Sequence, residues 1–125
     1  MDEWEIFMTD EVGQFLDGLC ETDCETYKLV NQAILVLEEN GPCQGRPLVD
    51  RIAGSSIANL KELRPGSSGH SEIRILFVFD PWRSAILLVA GDKSGKWRQW
   101  YREAIPRAER LYEFYLIERE RELSE

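Results

Sequence analysis

The sequence predicts an α+β domain: a small antiparallel sheet with an N-terminal helical hairpin and a C-terminal helix. Three observations predict this class. Two amphipathic helical patterns follow each other near the N-terminus, three strand patterns separated by turn residues occupy the middle, and the tail returns to helical spacing. The expected order is β-αα-βββ-α, with the helices against one face of the sheet. A length of 125 residues fits one domain, so we expect residues 1–125 to fold as a unit.

A short strand and a helix open the chain. From Trp4 to Met8, large apolar residues alternate with others at the two-residue period of a strand. Thr9 or Asp10 can cap a helix that runs to about Leu19. The apolar residues of this helix fall on one face: Val12, Phe15, Leu16 and Leu19.

The second helix has clear signals at both ends. Thr22 followed by Glu25 has the spacing of a capping box. Gly41 and Pro42 end the helix, because glycine adopts the left-handed cap conformation and proline cannot continue a helix. Apolar residues lie between these ends at helical spacing: Tyr27, Val30, Ile34 and Leu37. The short link between the two helices predicts a hairpin.

The middle of the chain alternates between loops and strands. Residues 44–56 read as a loop, and the turn-rich segment 64–70 joins the first two of the strands that follow. Asp80-Pro81 predicts a tight turn before the third strand. The expected strands are Ile57–Arg64, Glu72–Phe79 and Ser84–Ala90. The second of these is apolar on both faces near its end, as a central strand would be, and Arg74 is the exception.

The tail from Trp97 has helical periodicity. Ala104, Ala108, Leu111 and Tyr115 recur at steps of three and four residues. Pro106 lies inside this pattern, and proline in a helix interior costs about 3 kcal/mol but is tolerated in a first turn. We therefore expect a break near Ile105 and a new helix from Pro106 to about Arg121.

Charge is unevenly distributed around a net value of −8. Residues 1–45 carry eleven acidic side chains and one basic one, a balance of −10. Residues 46–102 carry ten basic and five acidic ones, a balance of +5, and residues 103–125 return to −3. This asymmetry predicts a basic working surface on an acidic support, although charges scattered over a solvated surface would give the same counts.

Several classes of protein are disfavoured. No apolar run approaches the ~20 residues of a membrane span. The acidic N-terminus is unlike a signal peptide, so we expect a cytoplasmic protein without a membrane association. Cys20, Cys24 and Cys43 lack the knuckle spacing of structural zinc sites even if His70 is added, so we expect reduced thiols and no metal or other cofactor.

The segment GDKSGKWRQWY, residues 91–101, concentrates three cations and three aromatic rings. It contains Gly95-Lys96, but a phosphate-binding P-loop needs a first glycine where Ala90 stands and a hydroxyl where Trp97 stands. An indole at the metal-binding position excludes that motif. A nucleic-acid surface and an ordinary solvated loop remain as explanations.

Four segments resemble the RelE/HigB-like toxins of bacterial type II toxin–antitoxin systems, and most closely their phage-derived Gp49-like branch. The segments are NLKELRPG at 59–66, SEIRILFVFDP at 71–81, LLVAGDKSGKW at 87–97 and WYREAIPRAERLYE at 100–113. The resemblance implies the same β-αα-βββ-α fold. It also implies an endoribonuclease (an mRNA interferase) that inhibits translation, acts on mRNA at the ribosome and is restrained by a cognate helix-turn-helix antitoxin.

The resemblance also implies site residues. Lys61 and Arg64 fall on the family's basic strand, Arg74 on the arginine of its central strand, and Lys93 on the basic position after the last strand. Tyr101 lies where a functional aromatic or acid–base residue is plausible. Cations of this kind stabilise the extra negative charge of a phosphorane, and a guanidinium suits phosphate oxygens. We assign RNA binding to four further residues: Lys96, Trp97, Arg98 and Arg83.

Structural roles compete with each assignment. Arg74 could pair with Glu72, Lys61 and Arg64 could be solvated strand charges, and Tyr101 could pack the last helix. His70 and Asp92 are weak candidates for proton transfer, so the general acid and base stay open. Two other functions also stay open: a ParE-like inhibitor of DNA gyrase without nuclease activity, and a degenerate phage-derived module that only binds a partner.

Overall fold

The computed structural model describes residues 3–125 and confirms the α+β class and the predicted order of the main elements. Along the chain these are β1 (Glu5–Met8), α1 (Asp10–Thr22), α2 (Cys24–Asn40), β2 (Val49–Arg51), β3 (Lys61–Leu63), β4 (Ile73–Phe79), β5 (Ser84–Asp92) and α3 (Trp97–Leu123). A single 3-10 turn, Gly41–Cys43, follows α2.

The helical hairpin forms as predicted, but one of its caps differs. Thr9 caps α1 by accepting a 3.3 Å hydrogen bond from the Val12 amide. Asp23, rather than Thr22, caps α2, because its carboxylate accepts from both the amide and the hydroxyl of Thr26. Thr22 belongs to the last turn of α1, where its hydroxyl donates to the Gly18 carbonyl. The predicted capping box is therefore wrong.

The sheet is mixed and not purely antiparallel. Its strand order is β1-β5-β4-β3-β2. The pairs β2–β3, β3–β4 and β4–β5 are antiparallel, whereas β1 runs parallel to β5 with Glu5 opposite Ser84. The hairpin of α1 and α2 carries the chain away from β1, so β1 pairs with a strand 79 residues later in the sequence.

Two strand predictions need correction. The predicted loop 44–56 contains β2, and the predicted strand Ile57–Arg64 is reduced to β3. Both observed strands have only three residues, with Val49 paired to Leu63. Three residues are too few for an alternating pattern to stand out, so the pairing partner decides whether such a segment becomes a strand.

Helices cover both faces of the sheet, and the expectation that they share one face is wrong. On one face α1 and α2 bury a core that includes Leu37, Ile75 and Phe77. On the other face α3 packs Ala104 and Ala108 against a second core of Leu60, Leu76, Val78, Ile86, Leu88 and Val89. Side chains alternate between faces along a strand, so residues flanking Ile75 in β4 point towards α3.

α3 is one continuous helix, and the break predicted near Ile105 does not occur. Pro106 lies inside α3, on its exposed side. The carbonyl of Arg102, which loses its helical donor, is also on an exposed residue, so water can hydrate it. Among the helices of residues 3–125, none combines the length and apolarity that crossing a membrane requires.

Candidate active site

Several of the basic residues predicted for the site converge at one end of the sheet, on the face covered by α3. Arg74 lies opposite Gly91 in the pairing of β4 with β5 and shares a face with Leu76. Arg64 directly follows β3, Lys93 directly follows β5, and Tyr101 lies in the second turn of α3. Four elements therefore contribute to one cluster, which we call the arginine–tyrosine cluster: Glu62, Arg64, Arg74, Lys93 and Tyr101.

Glu62 lies at the centre of this cluster, and the sequence reasoning missed it. Only 7% of its side chain is exposed. Its Oε1 lies 3.7 Å from Nε of Arg74 and 3.5 Å from Nε of Arg64, while its Oε2 accepts a 2.6 Å hydrogen bond from the hydroxyl of Tyr101. The available signal was periodicity: Glu62 stands two residues after Leu60, on the apolar face of its strand.

Arg74 is the most deeply placed of the cations. Its side chain is 11% exposed, and its Nη1 donates a 2.8 Å hydrogen bond to the Ile73 carbonyl. Its Nε is buried and makes no hydrogen bond within the described part of the chain. Arg74 forms its ion pair with Glu62, across the strands, and not with the neighbouring Glu72 as the structural alternative supposed.

Arg64 is more accessible than Arg74 and connects the cluster to β2. Its side chain is 36% exposed, and its Nη1 lies 3.5 Å from Oδ2 of Asp50. Because its Nε also faces Glu62, Arg64 divides its fork between two carboxylates. A partly exposed guanidinium held in this way can exchange one of these contacts for a phosphate oxygen.

The Lys93 ammonium lies between two aromatic rings. Its Nζ is 5.3 Å from the centres of both the Trp97 and the Tyr101 ring, within the range of cation–π attraction. Burial, together with the positive charge of Arg74, lowers the pKa of Lys93 below its ordinary value. Lys93 therefore holds its proton less tightly than a solvated lysine does.

The Tyr101 hydroxyl donates its hydrogen bond to the buried Glu62 carboxylate. Burial and the hydrogen bond to Glu62 raise the pKa of Tyr101 well above its ordinary value. A phenol that stays protonated cannot act as a general base at neutral pH. Its ring packs edge-on against Trp100, with the ring centres 5.0 Å apart. Tyr101 thus contributes an oriented hydroxyl and a ring beside Lys93.

The loop between β5 and α3 is shaped by Asp92 and Gly91. Oδ1 of Asp92 accepts from the amides of Glu72 and Ser94 and from the Ser94 hydroxyl. Burial opposes ionisation of Asp92, but these hydrogen bonds outweigh it and lower the pKa of its carboxyl. Asp92 is therefore an ionised loop-forming residue, which is a poor general acid. Trp100 packs directly over Gly91, where a Cβ would not fit.

Three of the residues predicted to bind RNA form an exposed rim beside this cluster. Lys96 precedes α3, and Trp97 and Arg98 begin it; all three are exposed, Trp97 to 55%. Together with Glu72 they line a shallow groove of about 620 Å³, in which two cations face one carboxylate. A cationic groove with an exposed indole is suited to a nucleotide strand, since cations meet the backbone and the ring stacks on a base.

Two predicted site residues lie elsewhere. Lys61 is on the opposite face of the sheet from Glu62, with its Nζ 5.4 Å from the ring centre of Phe79. Arg83 lies in the turn before β5, at the far end of the sheet from Asp92. Its guanidinium carbon is 4.7 Å from the Trp4 ring centre. The structure therefore does not bring Lys61 or Arg83 into the arginine–tyrosine cluster.

The other candidate groups are not part of the arginine–tyrosine cluster. His70 is exposed in the loop before β4, and Cys20, Cys24 and Cys43 are free and exposed. Across residues 3–125 no group of three or more His, Cys, Asp or Glu side chains is arranged to hold a metal ion. A groove of about 760 Å³ is lined by Asp80, Glu109 and Glu113 among other residues, and these carboxylates disfavour RNA.

The sequence of the chain matches one protein-family model and is similar to two mycobacterial proteins. The profile of the family described as "Phage derived protein Gp49-like (DUF891)" matches residues 17–113. The protein named "Putative toxin HigB2" of Mycobacterium tuberculosis (strain ATCC 25618 / H37Rv) is 53% identical over 109 residues, which are 87% of this chain and 53% of that protein. The chain thus spans about half the length of this relative.

A second mycobacterial protein is matched over a larger share of its own length. The protein named "Putative toxin HigB3" of the same strain is 51% identical over 87 residues, which are 70% of this chain and 74% of that protein. No solved structure is significantly similar to the chain. These matches confirm the resemblance that the four sequence segments indicated. The chain belongs to the HigB-like, phage-derived Gp49-like protein family.

Proposed function

We propose that this protein is the toxin of a type II toxin–antitoxin pair and that it cleaves mRNA without a metal ion, on the ribosome. One observation carries the proposal: Arg64, Arg74 and Lys93 converge on one sheet face around a single buried carboxylate. Three cations against Glu62 and the Asp50 carboxylate that also contacts Arg64 leave an excess of one positive charge. The names of the two mycobacterial relatives support the toxin assignment.

The proposed reaction forms a bond from the 2′-oxygen of a nucleotide to its 3′-phosphorus, with the 2′-hydroxyl proton passing to water, and breaks the bond to the 5′-oxygen, which takes up a proton. The phosphorane between these states carries more negative charge than the ground state, so fixed cations stabilise it selectively. Arg74 and Arg64 supply planar forks for the phosphate oxygens. The lowered pKa of Lys93 suits it to donate a proton to the leaving 5′-oxygen.

The rim of Lys96, Trp97 and Arg98 would hold the strand on one side of the scissile phosphate. Trp97 is free to stack on a base, a contact worth about 1–3 kcal/mol. With a net charge of −8 the protein as a whole repels RNA, so binding depends on this local surface. We infer that the ribosome presents the mRNA, and that a helix-turn-helix antitoxin restrains the toxin in the cytoplasm.

The test is induced expression with and without the product of the neighbouring gene. Growth arrest, new mRNA 5′ ends in translated regions and relief by a co-purifying antitoxin are the expected results. Arrest with intact mRNA and altered DNA supercoiling would instead identify a gyrase inhibitor. Normal growth at high expression, with no binding by any neighbouring product, would leave a simple interaction module.

A further inference from the structure

We infer that Glu62 is a positioning residue of the candidate active site: its buried carboxylate holds Arg74 and Tyr101 in the orientation in which they meet the bound phosphate. The inference rests on the nuclease function proposed above. The sequence did not predict Glu62 as a site residue. Its role here is to orient other side chains, not to contact RNA.

Both carboxylate oxygens of Glu62 are already engaged. Oε2 accepts the Tyr101 hydroxyl at 2.6 Å, and Oε1 faces Nε of Arg74 at 3.7 Å and Nε of Arg64 at 3.5 Å. With 7% of its side chain exposed, Glu62 lies beneath these groups. A general base must reach the 2′-hydroxyl within hydrogen-bonding distance, and this carboxylate is covered by its own partners.

The partners of Glu62 depend on it for their orientation. Within residues 3–125, Nη1 of Arg74 donates to the Ile73 carbonyl, while its buried Nε has no hydrogen-bond partner. The Glu62 carboxylate, 3.7 Å from this Nε, is the ion-pair partner that holds the guanidinium towards β3. Tyr101 likewise has its hydroxyl directed by Glu62, which keeps its ring beside Lys93.

Removing only the charge of Glu62 separates two effects. A neutral side chain increases the positive charge around the phosphate, which strengthens binding of the ground state and of the transition state by similar amounts and lowers the half-saturating concentration. Loss of orientation acts only on the reacting geometry and lowers the maximal rate, because a misplacement of about 1 Å can reduce a rate roughly 100-fold. If Glu62 only stabilised the fold, its replacement would leave the maximal rate of the folded protein unchanged.

The experiment is single-turnover cleavage of a short mRNA on programmed ribosomes by wild type, Glu62→Gln and the matched control Glu39→Gln. Glu39 is exposed on α2, on the other face of the sheet, and its replacement removes the same charge outside the candidate site. Glu62→Gln should lower the maximal rate about 10- to 100-fold while lowering the half-saturating concentration. Glu39→Gln should keep the wild-type maximal rate.

A double-mutant cycle with Tyr101→Phe completes the test. Because Tyr101 and Glu62 would act as a unit, the double variant should be little slower than Glu62→Gln alone. An unchanged maximal rate in folded Glu62→Gln, or an equal loss in Glu39→Gln, overturns the inference alone. If Glu62→Gln does not fold, a wild-type maximal rate in Tyr101→Phe overturns it. Wild-type protein that cleaves no mRNA overturns the proposed nuclease and this inference together.

Discussion

The hydroxyl of Tyr101 donates a 2.6 Å hydrogen bond to Glu62, and this contact fastens the start of α3 to β3. A second contact of the same kind lies further along α3, where the hydroxyl of Tyr115 donates a 2.6 Å hydrogen bond to Oδ2 of Asp80. The two tyrosines are about four turns apart on one face, roughly 21 Å along the helix axis. α3 is therefore anchored to the sheet at two points, one inside the arginine–tyrosine cluster and one outside it.

The two anchors should differ in function and resemble each other in stability. Tyr115→Phe removes a donor from the buried Asp80 carboxylate and should lower the free energy of unfolding by about 1–3 kcal/mol, without changing mRNA cleavage by folded protein. Tyr101→Phe should lower stability similarly and also slow cleavage. Urea unfolding and cleavage assays measure both quantities. Equal slowing by the two variants would contradict the separation of the anchors.

Stability should decline at alkaline pH because of these tyrosines. The pKa of Tyr101 is raised in the folded state by burial and by Glu62, and that of Tyr115 by burial and by Asp80. A raised folded-state pKa contributes stability that is complete below the ordinary value of 10.0 and is lost as the pH rises above it. Urea unfolding across this range should show a shallower decline for Tyr101→Phe than for wild type.

Arg74→Ala should reduce mRNA cleavage by roughly 10²–10³-fold, because it removes a cation that acts in the transition state. Arg74→Lys should recover little, since an ammonium cannot reproduce the fork. Both variants should fold and bind antitoxin. Arg110→Ala is the matched control, because Arg110 is exposed on α3 beside the acidic groove. Wild-type cleavage by folded Arg74→Ala would show that Arg74 is only structural.

Gly91→Ala should disturb the candidate active site through Trp100. The added methyl group collides with the indole ring, and overpacking of this kind costs typically 1–3 kcal/mol. Thermal melting should therefore show a lower midpoint, and tryptophan fluorescence should change. Gly13→Ala is the control: its site in α1 is open, so alanine there should be neutral or stabilising. A midpoint for Gly91→Ala at or above wild type would refute the packing argument.

RNA binding should weaken with salt to a limited degree. Residues 46–102 carry a net charge of only +5, so few phosphates can be neutralised at once. At about −0.7 per phosphate contact, the slope of log K against log salt for a short single strand should be roughly −2 to −4. Fluorescence anisotropy at several salt concentrations measures this slope. A slope near zero would remove the electrostatic argument for the rim.

Local signals predicted the long elements of the fold well. The periodicities of α1, α2, β4 and β5 extend over seven or more residues, and each element lies close to its predicted position. The wrong predictions, for β2 and α3, concern segments whose structure depends on residues distant in sequence or on solvent exposure, which a local pattern does not contain. β2 forms because Val49 pairs with Leu63. α3 continues past Pro106 because Arg102, whose carbonyl loses its helical donor, is exposed and can be hydrated.

The candidate site was predictable in its cations and not in its carboxylate. The sequences of the segments that contain Arg64, Arg74 and Lys93 resemble a known family, so the convergence of these cations could be expected before the fold was known. Glu62 joins them only because β3 pairs with β4 in a register that sets it opposite Leu76, beside Arg74. Lys61 illustrates the converse, since its position one residue earlier turns it to the other face of the sheet.

The spread of the arginine–tyrosine cluster along the chain has a consequence for how the protein is made. Synthesis proceeds from the N-terminus, so β1 has no pairing partner until β5 is translated, 79 residues later. A nascent chain that ends before Trp97 already contains Glu62 and Arg74, yet it lacks both rings that flank Lys93 and the hydroxyl that faces Glu62. Because α3 is synthesised last, the arginine–tyrosine cluster can be completed only after Tyr101 has been translated.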